Sequence, residues 1–216
     1  MNSASKKKNT IIKDALILFA ITLVAGFALG LVHEITLPSI TEQKIKAKTD
    51  AYRTVYPDAA EFKEEAELTG QAEGSSEVLA LNGYDKVTVD EAMAALDASG
   101  NKIGYVLTLT TQEGYKGGIV ITVGYGLDGV LKGMEVITNN ETVGFGAKAS
   151  EDSFKGQFAG KKVDKFEYTK SGAAAEDQID AITGATITSS AVVNEVNAGI
   201  CFITELVEAG NDLGGK

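Results

Sequence analysis

The 216-residue chain holds one cysteine and one histidine, and that scarcity removes several kinds of chemistry at once. A lone Cys201 cannot close an internal disulfide. It also cannot supply the paired Cys or Cys/His spacing of zinc, iron–sulfur or c-type haem sites. Surrounded by apolar neighbours, it reads as a small buried side chain. The lone His33 sits at the edge of a long apolar run, so Ser–His and Cys–His nucleophile pairs have no base. Cationic residues are also short: 20 Lys and Arg stand against 30 Asp and Glu, a formal net charge of −10. The deficit is uneven. Residues 1–36 carry four lysines and two acids, which leaves residues 37–216 at −12. A domain so charged repels nucleic acid and anionic headgroups and suits cationic partners.

What is present begins with an uncharged run over residues 15–32. As a helix it would cover about 27 Å at about 1.5 Å per residue, close to a hydrocarbon core of about 30 Å. Ile35 and Leu37 extend it past His33 and Glu34. Lys6, Lys7, Lys8 and Lys13 precede the run, as they would in a cleaved signal peptide. The run is longer than a usual signal core, however, and no clear small-x-small cleavage site is followed by a mature start. The reading is a retained transmembrane helix over 15–36 with a cytoplasmic tail over 1–14. The rest of the chain is then extracytoplasmic, a bias tempered by Lys44, Lys46 and Lys48 on the far side.

Residues 39–56 read as a polar helix carrying Ile40, Ile45 and Ala47, a stalk that Pro57 ends. Residues 58–76, with Glu61, Glu64, Glu65, Glu67 and Glu73 among Gly and Ser, read as a surface loop or frayed helix. Stalk and acidic loop together take 37–76. Beyond residue 77 the pattern changes to short strands and glycine turns. Strands are predicted at 86–96, at 103–110 with Ile103, Tyr105, Leu107 and Leu109 on one face, at 119–124 and at 130–138, with another possible at 166–169. The Gly124, Gly126, Gly129 spacing imitates a dinucleotide fingerprint but opens a strand, not a helix, so it reads as a hairpin and no nicotinamide site is expected. A helix over 189–208 would close one face of the sheet. The fold class is α+β: a single N-terminal transmembrane helix, then an antiparallel-sheet domain over 77–216 closed by a C-terminal helix.

The most informative stretch is Asp180-Ala181-Ile182-Thr183-Gly184-Ala185-Thr186, a small-residue turn that runs into that helix. Val192, Val193, Val196, Ile200, Ile203 and Val207 recur at helical spacing, and Thr188, Ser189 and Ser190 are N-cap candidates. The turn therefore opens onto a helix N-terminus, where free N–H groups and the macrodipole favour an anion. Gly184 and Ala185 let the backbone approach it.

These residues resemble the Asp-x-x-(Ser/Thr)-Gly-Ala-Thr flavinylation motif of the FMN-binding domain family. The resemblance implies that Thr186 carries FMN as a phosphoester. A second segment, Glu141-Thr142-Val143-Gly144-Phe145-Gly146-Ala147-Lys148, resembles the family's Glu-Thr-Pro-Gly-Leu-Gly-x-Lys loop against the flavin ring. Val143 stands for proline and Phe145 for leucine. The resemblance implies roles for Glu141, Thr142, Gly144, Phe145, Gly146 and Lys148 around the ring, and for Thr183, Gly184 and Ala185 around the phosphate. Asp180 would assist the transferase or hold its loop. No catalytic and no metal-binding residue is assigned, because flavin performs the electron transfer and the protein supplies position and electrostatics.

From end to end the chain is similar to the G subunits of Rnf-type, ion-translocating ferredoxin:NAD+ oxidoreductases. Its expected partners are the other membrane subunits of such a complex and, during maturation, a flavin transferase. Two alternatives remain: the C-type subunit of Na+-translocating NADH:quinone reductase, and a non-redox membrane-tethered binding module.

Overall fold

The computed structural model describes residues 3–208 and, within them, the side chains of all but residues 3–11, Thr41, Lys44, Leu206 and Glu208. The side chains of Lys6, Lys7, Lys8 and Lys44, and residues 209–216 of the expected domain, lie outside the described residues. The chain divides into two compact units, 1–46 and 47–216.

The first unit is helical. Helix α1 (Ser3–Val55) carries Pro38 without ending there. Its portion from Ile12 onward is long and apolar enough to cross a membrane, and the most apolar window has none of its surface buried in the protein. Two polar side chains in the apolar stretch satisfy themselves locally. The Thr22 hydroxyl donates to the carbonyls of Leu18 and Phe19, and that of Thr36 to Val32 and His33. Such back-bonding is what a hydrocarbon environment demands of a hydroxyl.

The second unit is built on five antiparallel strands in sequential order: β1 (Glu61–Glu64), β2 (Val87–Leu96), β3 (Lys102–Gly114), β4 (Gly117–Gly126) and β5 (Leu131–Asn139). Helices α2 (Ala66–Glu73) and α3 (Ser75–Leu81) fill the connection from β1 to β2. After β5 come a 3₁₀ turn (Gly146–Ser150), α4 (Asp152–Lys155), a separate parallel pair β6 (Glu167–Thr169) and β7 (Gln178–Asp180), and helix α5 (Thr186–Phe202). A π-helical turn, Ile203–Glu208, continues α5.

Each face of the main sheet is covered. Tyr105, Leu107 and Leu109 of β3 and Ile119, Ile121 and Val123 of β4 face a core that Val192, Val196 and Ile200 of α5 complete. The other face receives the last turns of α1, where Tyr52, Val55 and Tyr56 cluster with Ala95 and Val106. Two glycines admit the helix end: a Cβ on Gly124 would stand 2.6 Å from the Val55 carbonyl oxygen, and one on Gly133 3.2 Å from its Cα. Polar contacts add to the join. The Tyr52 hydroxyl donates to Glu91, which also pairs with Lys48, and shares a 3.0 Å hydrogen bond with Thr108. Burial, with Glu91 next in weight, holds the Tyr52 hydroxyl well above its ordinary pKa.

The structure revises four local expectations. The 39–56 helix ends in the domain, because its last apolar residues recur at one-turn spacing and cover a sheet face. Residues 58–76 form β1 and α2; Leu68 and Ala72, four apart, are buried and the glutamates around them face outward. Ile103 leaves the face of Tyr105: the β2–β3 register shifts between Ala95 and Leu96, and Ile103 turns to the α1 side. The strand near 166–169 pairs in parallel with β7 in a sheet of its own.

That small sheet is pinned to α5. The Asn197 side chain accepts from Phe166 N–H at 2.7 Å and donates to its carbonyl at 2.9 Å. Edge-to-face contacts of Phe154 with Phe158 and of Phe158 with Phe166 fill the space beneath. One ionisable group is locked into the α5 core. Glu195 is fully buried, and neither carboxyl oxygen has a hydrogen-bond partner. Burial holds its carboxyl well above the usual carboxylate range; the nearby backbone N–H groups of Ile121 and Thr111 oppose the shift only in part, and Asp90 and Glu113 reinforce it.

Candidate functional site

Strand β7 delivers the chain to the turn that precedes α5. Gly184 there adopts φ +77, a left-handed conformation that glycine takes without strain. The turn is closed from Ala185 N–H to the Ile182 carbonyl at 3.0 Å. A hydroxyl one turn further on secures it: Ser189 Oγ donates to the Ala185 carbonyl and accepts from Ile182 N–H, each at 2.9 Å.

Helix α5 therefore starts at Thr186, with Ala185 as N-cap and no side-chain cap. The residues expected to cap it lie inside its first turns instead, because Ser189 is used by the turn and the Thr188 hydroxyl donates to Glu141 Oε2 at 2.6 Å. The leading N–H groups of an uncapped helix have no intrahelical partner, and an anion can take them.

The loop after β5 faces this terminus. Thr142 to Phe145 form a turn in which Phe145 N–H meets the Thr142 carbonyl at 3.1 Å, with Gly144 at φ +82 in the third position. Such a turn favours proline at its second position. Val143 holds that place here and is 87% exposed. Asn139 braces the loop by donating to the carbonyls of Gly146 and Ala147 and to Ser150 Oγ. Glu141 is buried, accepting from Lys116 N–H at 2.7 Å through Oε1 and from Thr188 through Oε2. It ties the β3–β4 turn, this loop and α5 together.

Two close approaches complete the junction. A Cβ on Gly146 would meet Thr188 Oγ1 at 2.5 Å and Glu141 Oε2 at 2.7 Å, and a Cβ on Gly184 would meet the Phe145 ring at 3.1 Å. Larger residues at either position would push the two segments apart.

Between the segments lies a cavity of about 460 Å³, whose walls include Glu141, Thr142, Phe145, Gly146, Gly184 and Thr186. Ala185 contributes as well. Thr186 also borders a second cavity of about 430 Å³ with Lys86, Gln112, Glu113 and Tyr168. Both volumes fall in the range of about 300–1,000 Å³ typical of cofactor sites. An uncapped helix start beside a cofactor-sized cavity, with two glycine approaches in its wall, fits a phosphate-bearing planar group such as FMN.

Three of the motif residues border a separate space. Lys148, Asp180 and Thr183 border a shallow cleft of about 220 Å³ together with Gln157. The Asp180 carboxylate accepts from Ala173 N–H at 2.6 Å, so it holds the loop between β6 and β7. Gly144 shapes its turn without lining the cavity. Conversely, the cavity gains Tyr115, Ile187 and Thr188. Tyr115, 69% exposed in the Gly114–Gly117 turn, had a sequence signal: an aromatic at the tip of a glycine hairpin has no local reason to be there. No pattern announces that Thr188 and Glu141, distant in sequence, share a hydrogen bond.

Similarity to known proteins extends over the region that holds this cavity. A model of the FMN-binding domain matches residues 114–200, and one of the RnfG N-terminal region matches residues 1–55. The first span holds the cavity and both motifs. The chain is 34% identical over 192 residues to the G subunit of the Na+-translocating ferredoxin:NAD+ oxidoreductase complex of Acetobacterium woodii, covering 88% of this chain and 90% of the relative. It is 30% identical to the G subunit of the proton-translocating ferredoxin:NAD+ oxidoreductase complex of Clostridium ljungdahlii, covering 89% and 95%. The G subunit of the ion-translocating oxidoreductase complex of Methanosarcina acetivorans is 29% identical over 90% of this chain and 95% of its own. Among solved structures, Shewanella oneidensis NqrC is similar over 54% of this chain and 60% of its own, at 22% identity and a TM-score of 0.45. Two family matches and similarity along nearly the whole length agree with the paired motifs, and the chain belongs to the family of G subunits of ion-translocating ferredoxin:NAD+ oxidoreductase complexes.

Proposed function

We propose that this protein is the membrane-anchored, flavin-bearing electron-transfer subunit of such a complex, with FMN esterified through its phosphate to Thr186. The observation that carries the reading is the position of Thr186. It is the first residue of an uncapped helix and borders a cavity whose opposite wall is the Glu141–Gly146 loop. FMN, when bound, supplies one- and two-electron transfer. The chain's own residues do the rest. The leading amides of α5 bind phosphate oxygens, Gly184 and Ala185 keep the backbone close, and Phe145 and Thr142 bound the space for the ring.

The ester forms without oxidation or reduction. Thr186 Oγ1 displaces a phosphoanhydride leaving group at the flavin phosphorus of a dinucleotide donor, and its proton passes to a base. A flavin transferase provides that base: among the described residues the two carboxylates in the cavities that Thr186 borders are already engaged, Glu141 accepting two hydrogen bonds and Glu113 one from Asn194. Exposed Thr183 and Lys148, beside Asp180, offer the transferase a surface next to the turn.

The apolar helix over 15–36 anchors the subunit, and its lysine-rich leading tail keeps residues 1–14 in the cytoplasm. The domain then stands on the extracytoplasmic side, where a covalent tether prevents loss of cofactor by dilution. Its partners are the other membrane subunits of the complex. Similarity to G subunits over nearly the whole chain favours this reading over a quinone-reductase C subunit or a non-redox module.

The test is covalent flavin itself. The chain produced together with a flavin transferase should stay yellow and fluorescent after denaturation, with the FMN mass increment on the peptide containing Thr186. Thr186→Val should abolish both signals, and Thr186→Ser should restore them. Covalent flavin retained in the valine variant would refute the assignment.

A further inference from the structure

Among the described residues Glu141 is the one carboxylate lining the larger cavity, and no cationic side chain lines it. The group is only 6% exposed. Among the described residues no lysine or arginine pairs with it. Both oxygens are engaged by neutral donors, the Lys116 N–H and the Thr188 hydroxyl. These bonds fix the carboxylate in place without cancelling its charge. The positive end of α5 is close, worth roughly half an elementary charge. A phosphate esterified at Thr186 would claim that partial charge, leaving the carboxylate uncompensated.

We infer that Glu141 is a fixed negative charge in the cavity wall that holds down the reduction potential of the bound flavin, an inference that rests on the flavin reading above. Electrons entering the ring bring negative charge into a cavity whose wall holds a largely buried carboxylate with no lysine or arginine paired to it among the described residues. At a given distance Coulomb repulsion is stronger in such partly buried surroundings than in bulk water. Glu141 is thus a positioning residue through its hydrogen bonds and a potential-setting residue through its charge. Glutamine at 141 separates the two roles. Its amide oxygen can accept from Lys116 N–H while its NH₂ donates to Thr188 Oγ1, so the tie survives and the charge is lost.

The experiment uses the full-length, flavinylated chain in detergent. Covalent flavin is quantified by intact mass, and the flavin is then titrated against redox dyes. Glu141→Gln should keep wild-type flavin content and raise the reduced-to-oxidised ratio at a given poise about tenfold, which is about 30 mV for a two-electron couple. Thr188→Val keeps the charge but removes a donor to it, and should lower the potential. A fully flavinylated glutamine variant with an unmoved or lowered potential overturns the inference and leaves the flavin reading intact. If the glutamine variant fails to load flavin, Thr188→Val decides: a lower potential supports the inference, and an unchanged or higher one overturns it. Wild-type chain without covalent flavin would overturn the flavin reading itself, and this inference with it.

Discussion

Replacing Glu195 by methionine should stabilise the domain, even though the change removes a charged residue from the longest helix of the second unit. Glu195 is fully buried, and both its oxygens lack hydrogen-bond partners. Each buried polar group left without a partner costs about 1–3 kcal/mol. Methionine keeps the length of the side chain, carries no polar oxygen and adapts to irregular space. The expected gain is about 1–3 kcal/mol, and about 2–4 °C in Tm for each kcal/mol in a unit of this size.

A pH dependence follows from the same group. Burial raises the folded-state pKa of Glu195 above its unfolded value of about 4.3. Between those two values the folded chain binds more protons than the unfolded one, so stability falls as pH rises. The contribution is full below the unfolded pKa and declines by about 1.4 kcal/mol per pH unit until the folded pKa is passed. Glu195→Gln does not titrate and should lack this decline. Circular-dichroism melts of the detergent-solubilised chain at several pH values would read the difference between wild type and the glutamine variant. Parallel pH profiles for the two, or a methionine variant that melts lower than wild type, would refute the reasoning.

Gly184→Ala forces a side chain into a left-handed backbone and against the Phe145 ring, so it should lower flavin loading while leaving the far-UV spectrum unchanged; undiminished loading would mean that this approach is not needed. Tyr52→Phe removes the donor to Glu91 and the bond to Thr108, and should cost about 1–2 kcal/mol in urea unfolding; an unchanged midpoint would show that the α1 end is held by its apolar contacts alone. For topology, protease reaching the outer membrane face should digest the domain and spare the N-terminal tail. Cleavage of the tail with the domain protected would reverse the orientation.

What was legible in the sequence follows the range of the forces involved. Strands β2 to β5 are marked by local alternation and by glycine turns, and α5 by its helical apolar spacing, so their existence could be read directly. The helix start could not. Hydroxyl residues at 188–190 imitate a cap, and the real boundary depends on Ser189 reaching back to the Ala185 carbonyl and Thr188 reaching across to Glu141. The site motifs could be recognised, yet their residues divide between a cavity and a separate cleft, because Asp180 closes a loop with Ala173. The acidic 58–76 segment hid two elements for a similar reason. Its few apolar residues gain meaning only against Tyr52, the sheet and the π-helical turn after α5, the last far along the chain.

The last turns of α1 also decide how a soluble form of this protein can be made. The obvious place to cut, once the apolar run is removed, is at Pro57 or at the change of pattern near residue 77. Either cut would strip Tyr52, Val55 and Tyr56 from the sheet and uncover Ala95 and Val106 beside the glycine-lined strips of β4 and β5. A bare, flat apolar sheet face of that kind invites association between copies. A fragment beginning no later than Ala47 keeps its own cover, and its first helical turns belong to the folded domain as much as to the anchor.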